Sequence, residues 1–144
     1  MAKTLTAANS VIMLSVAGLF PAPVQLQGFA ADDIFDTDQI DSAETVMGVD
    51  GRLSAGWVPM AVKQNFSLQA DSDSLSFFET WYASQQAVRE LYIAAGSIYL
   101  PAVQRKYAMS RGFLTNHSAT ASAKRILQPR KFMITWEKLT SAAF

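Results

Sequence analysis

"VPMAVKQNFSLQ", residues 58–69, and "DSDSLSFFETWYASQQAVREL", residues 71–91, adjoin one another and repeat with different periods. In the first, Met60, Val62, Gln64, Phe66 and Leu68 alternate with Lys63, Asn65, Ser67 and Gln69. Successive strand side chains point to opposite faces, so this run is a strand with one largely apolar face and one polar face. In the second, Leu75, Phe78, Trp81 or Tyr82, Gln85 and Val88 recur at helical spacing, and Asp71 or Asp73 stands where a cap is needed. The spacing predicts a helix over about 73–89. Its aromatic stripe suits docking on a sheet better than holding a cofactor.

Strand signals dominate on both sides of that switch. Residues 10–17, SVIMLSVA, form a β-branched-rich run fit for a buried strand, and GLFPAP, 18–23, punctuates it. Val24 to Phe29 alternates and predicts a second strand. The segment 44–60, ETVMGVDGRLSAGWVPM, holds Gly48, Gly51 and Gly56. Their spacing matches neither the dinucleotide fingerprint nor the P-loop, and no helix pattern follows to lend its N-terminus to a phosphate. Asp50-Gly51 instead marks the turn of a β-hairpin, expected as type I′. After the helix, 91–94 and 97–102 predict two short strands around Ala95-Gly96, and 104–113 predicts another. A small polar loop, 116–123, precedes a last alternating run over 123–139, where Pro129 demands an edge or a bulge. Many strands and one mid-chain helix give an α+β class, mainly antiparallel: a β-sandwich or barrel with one flanking helix.

The 144 residues make one domain, half hydrophobic and only 17% charged. So few charges suit a surface largely covered by partners. Net charge is zero but unevenly spread. Residues 1–80 carry ten acids against Lys3, Arg52 and Lys63; residues 81–144 carry Glu90 and Glu137 against nine bases. An acidic half and a basic half can meet head to tail between copies, a contact that builds rings or open filaments. Asp32, Asp33, Asp36, Asp38 and Asp41 cluster in an acidic loop, 31–42, around Ile34, Phe35 and Ile40. The glycine and glutamate of a calcium-binding EF-hand loop are missing there. The partners expected for these acids are Arg105, Lys106, Arg111, Arg125, Arg130 and Lys131 of a neighbouring copy.

Chemistry finds little support. There is no cysteine, which removes disulfides and thiolate metal sites, and His117 is the lone histidine. It is expected in an exposed loop. Serines lack a base, and the acids sit in a loop too irregular for fixed general acid–base geometry. No catalytic, cofactor-binding or metal-binding residue is assigned, and no enzyme is expected. Tyr107 and Phe113 interleave with the bases, but a neutral chain lacks the field of a dedicated nucleic-acid binder. Lys3 before the apolar run 11–20 resembles a secretory leader, yet Ser15, Gly18, Pro21 and Pro23 disfavour one, so a soluble, uncleaved protein without a membrane segment is expected.

Three stretches carry a family resemblance: Ala31-Asp32-Asp33-Ile34-Phe35-Asp36-Thr37, Glu44 to Pro59 with MGVDGRLSAGW, and Phe77-Phe78-Glu79-Thr80-Trp81. They resemble the tail tube proteins of contractile-tailed bacteriophages, in order of elements over roughly residues 10 to 140. The resemblance implies a fold shared in outline with type VI secretion and contractile bacteriocin tubes. It implies hexameric rings whose inner strands join into one barrel, stacked inside a sheath, with the genome passing through the lumen. Implied partners are further copies of the chain, the sheath, the baseplate and the tape-measure protein, with DNA in transit and the virion tail as location. It brings no catalytic residues. Lys63, Asn65, Ser67 and Gln69 suit a wetted lumen wall, whereas dense positive charge there would hold DNA back. The bases are therefore expected to face neighbours, and the 44–60 hairpin to reach another subunit. Alternatives are a baseplate or tail-terminator ring subunit, or a secreted ligand-binding β-barrel.

Overall fold

A computed structural model describes residues 10–29 and 34–143. Along the chain run β1 (Val11–Val16), β2 (Phe20–Gln25), β3 (Phe35–Thr37), β4 (Ala43–Met47), β5 (Leu53–Trp57) and β6 (Val62–Leu68). Then come α1 (Leu75–Val88), β7 (Ala94–Leu100), β8 (Arg105–His117) and β9 (Arg130–Ala143). Seven strands form one antiparallel sheet in the order β2-β1-β7-β8-β9-β6-β3, and β4 pairs with β5 alone. The expected α+β class, mainly antiparallel with one helix, is the observed one.

The sheet curls, and the segment after β2 closes the curl. Leu26 N–H donates to Ile12 O on β1, while three residues later Phe29 bridges Leu68 on β6 and Gln69 N–H donates to Gly28 O. In a flat sheet β1 and β6 would stand four strand spacings apart, about 19 Å at ~4.8 Å each. Residues 26–29 can touch both only because the sheet has rolled into a barrel. Its interior takes one side of each strand: Ile12, Leu14 and Val16 from β1, Val62, Phe66 and Leu68 from β6, Phe132, Ile134 and Trp136 from β9.

The helix packs where β8 ends and β9 begins. Phe78 stacks on Phe132 at 4.2 Å, Phe77 lies 4.6 Å from Phe20 of β2, and Trp81 is fully buried beside both helix phenylalanines. Burying each such ring contributes about 2–3 kcal/mol. The expected stripe is present in its first half; Val88 at the far end is 52% exposed. Ser74, not Asp71 or Asp73, is the N-cap residue, and its hydroxyl accepts from Gln27 N–H at 2.8 Å instead of capping the helix. Ser72 Oγ donates to Gln27 O, so the helix start is tied to the barrel-closing segment.

Several boundaries differ from expectation, each for a physical reason. β2 occupies 20–25 instead of 24–29, with Pro21 and Pro23 inside it. It is the sheet's outer strand, where a residue without N–H loses no ladder bond. In place of the two short strands expected at 91–94 and 97–102 there is one, 94–100, with Ala95-Gly96 inside it and 91–93 outside, because β1 pairs with β7 without a break from Val11↔Tyr99 to Val16↔Ala94. β8 runs on to His117, and β9 starts only after Pro129, so residues 118–129 form the connecting loop. Ile126 and Leu127 in it are exposed. The hairpin turn has three residues: Gly51 N–H donates to Gly48 O at 3.0 Å and Gly48 N–H to Arg52 O at 2.8 Å. Only Gly51 has positive φ (84°), whereas type I′ needs two such residues.

Candidate assembly surface

Gln64 lies on the apolar face of β6 and is 1% exposed, so its amide needs buried partners. It finds two. Trp136 Nε1–H donates to Gln64 Oε1 at 2.9 Å, and Gln64 Nε2–H donates to Thr37 Oγ1 at 3.1 Å. This links β9, β6 and β3 and fixes the acidic strand at the sheet edge. On the opposite side of β6, Asn65 Nδ2–H donates to Asp36 Oδ1 at 2.7 Å and to Asp38 Oδ1 at 3.4 Å. Asp36, Asp38 and Asp41 are exposed; Asp32 and Asp33 lie outside the described residues. Ile34 and Phe35 are half-buried against the core, as apolar anchors should be, while Ile40 is exposed.

Beyond Asp41 the chain enters β4 and β5. All ten strand residues are exposed, among them Val46 at 69%, Met47 at 63% and Trp57 at 78%, and Val49 at the turn is open to solvent. A lone two-stranded hairpin is marginal in water, and one with apolar side chains in solvent lacks a cover.

The predicted bases divide into two kinds. Arg130 is a correction: it does not face a neighbour. Its side chain is 6% exposed, and its guanidinium is bonded within its own chain, to Glu79 of α1 at 2.6 Å and to the Ser118 and Ala119 carbonyls. It also lies over the Phe132 ring. The reason is its place on the inward face of β9, where the helix supplies the counter-charge. Arg105, Lys106, Arg111, Arg125 and Lys131 are exposed. Arg111 sits where the β7–β8 register shifts, with φ 51°, and meets Glu137 directly across the ladder at 3.1 Å. Both are largely exposed, so this pair adds little stability.

Lys63 and Gln69 of the proposed lumen strand are exposed and Asn65 is half-buried, but Ser67 is only 3% exposed and does not meet water in the single chain. His117 is corrected too: it ends β8, half-buried, its ring stacked on Tyr82 at 4.3 Å. No local pattern announces the Arg130–Glu79 pair, since its partners are 51 residues apart. Among the described residues, no three His, Asp or Glu side chains converge to hold a metal, and no helix is long and apolar enough to cross a membrane.

Comparison with known proteins gives a family and a fold. The sequence profile of the family described as tail fiber protein gp32 matches residues 3–140. No curated protein sequence matches the chain. Among solved structures, the tube-terminating cap of the anti-feeding prophage superposes with a TM-score of 0.65 at 11% identity, covering 100% of this chain and 94% of that one. The sheath/tube terminator of the extracellular contractile injection system PVC, in its extended state, gives 0.63 at 10% identity, covering 99% of each. A chain of the six-fold symmetrised baseplate of the anti-feeding prophage gives 0.62 at 7% identity, covering 99% and 98%. At these identities the likeness is one of fold, shared with chains of a tube-terminating cap, a sheath/tube terminator and a baseplate.

Proposed function

We propose that this chain, which belongs to the tail fiber protein gp32 family, is a structural subunit of a phage tail tube. Copies form six-fold rings that stack around a central channel for genome delivery. The observation that carries this is the unsupported hairpin β4–β5, where Val46, Met47, Val49, Leu53 and Trp57 lie together in solvent. An exposed apolar surface of this kind marks a place that another chain covers. The fold shared over the whole chain with cap, terminator and baseplate chains supports a ring-forming role, and the six-fold baseplate supports the ring number.

In the ring stack, Asp38 and Asp41 face Arg105, Lys106, Arg111, Arg125 and Lys131 of neighbouring copies, while Asp36 stays with Asn65 on the face of β6 that carries it. The charges fix register more than they add affinity. Lys63, Asn65 and Gln69 face the lumen, where a sparse charge lets DNA slide. Sheath, baseplate and tape-measure proteins are the remaining partners, the virion tail is the location, and the role is structural, not catalytic. A terminator or other single-ring role is the second reading, favoured by the cap and terminator structures. Sedimentation velocity over a range of concentrations separates the outcomes. A tube subunit gives polydisperse, very large species; a terminator gives one closed-ring species; a lone chain throughout contradicts both.

A further inference from the structure

The last half of β9 is an open edge. Its ladder to β6 stops at Val62↔Trp136, whereas its ladder to β8 continues to Arg105↔Ala143. Among the described residues, 137–143, EKLTSAA, therefore have a neighbour on one side only, and apart from half-buried Leu139 their side chains are exposed. Natural edges are blunted by charge, proline or bulges; after Lys138 this one carries none of these. The hairpin is the complementary object, with two short strands whose outer edges are unpaired among the described residues.

Charge points the same way. The β8–β9 arm carries Arg105, Lys106, Arg111 and Lys138 against Glu137, and the hairpin with its lead-in carries Asp41, Glu44 and Asp50 against Arg52. We infer that the β4–β5 hairpin of one copy adds as a pair of strands to the open β9 edge, residues 137–143, of the next copy. The main chain supplies the hydrogen bonds, and the opposite charges set the direction. The contact joins two different patches, so it propagates from copy to copy instead of closing a dimer. It gives the hairpin the third and fourth strands that a stable sheet needs. This rests on the ring-forming reading above and names the surfaces that meet.

The chain has no cysteine, which makes cross-linking free of background. Thr45→Cys and Thr140→Cys are made as separate single variants, mixed, assembled and oxidised, with circular dichroism to check folding. Expected are mixed disulfide dimers from that pair and none from Thr45→Cys with Ser76→Cys on the helix. Backbone amides of 43–57 and 137–143 are expected to exchange about tenfold or more slowly in the assembly than in the lone chain. As a second arm, Glu44→Lys and Lys138→Glu each weaken assembly, and mixing the two variants restores it. Assemblies that form without the 45–140 link or the joint protection overturn this contact and leave the ring reading standing. A chain that never assembles overturns both.

Discussion

Arg130, Trp136 and Gly112 decide more of this fold than their neighbours. Arg130 ties α1, the 118–129 loop and β9 together, so Arg130→Ala leaves unpaired carbonyls and a lost counter-charge. Glu79 is 50% exposed and stays solvated, so the loss comes mainly from the Ser118 and Ala119 carbonyls and should be about 1–2 kcal/mol, against about 0.5 kcal/mol or less for Arg111→Ala on the surface; urea denaturation of the two variants checks the contrast. Trp136→Phe leaves Gln64 Oε1 buried without a donor and should cost about 1–3 kcal/mol by the same measurement. At Gly112 an added Cβ would stand 2.3 Å from Trp136 Cε3, so Gly112→Ala forces the indole aside and should destabilise by about 1–3 kcal/mol. The inward face of β9 was legible as alternation. The fate of Arg130 was not, because alternation says which side a residue faces and nothing about what waits there.

Elements were easier to place than their ends. The strand at 62–68, the helix and the hairpin stand where periodicity and Asp50-Gly51 put them, because each signal is local. β2 was shifted by its prolines, which read as breaks until the strand is known to be an edge. β7 was cut in two at Ala95-Gly96, since a continuous ladder to β1 overrides weak local propensity. The hairpin's independence has a consequence. Replacing residues 44–57 by a short glycine-serine link should leave the thermal midpoint of the lone chain nearly unchanged, because none of its strand residues is buried in the core. The same variant should fail to assemble. A hairpin that matters only to the lone chain would give the reverse: a lower midpoint with assembly intact.

For the molecule as a whole, the sequence carried the fold class, the uneven charge and the resemblance to tube proteins. It could not carry the closure of the barrel, which depends on residues 26–29 reaching β1 and β6 at once. Nor could it show that β9 outruns β6 and leaves an edge. If acidic and basic surfaces set the register between copies, raising salt from 0.1 M to 1 M should weaken assembly, as screening shortens from about 10 Å to about 3 Å. Light scattering at fixed protein concentration reads this directly, and salt-independent assembly would remove charge from the interface. The central claim is that copies of this chain stack into a hollow tube. Electron microscopy of the concentrated protein in negative stain tests it most directly: six-fold end views with a central hole, and side views striated along the axis, are the result expected of a tube subunit. Solid rods or thin fibres without an axial channel would contradict it.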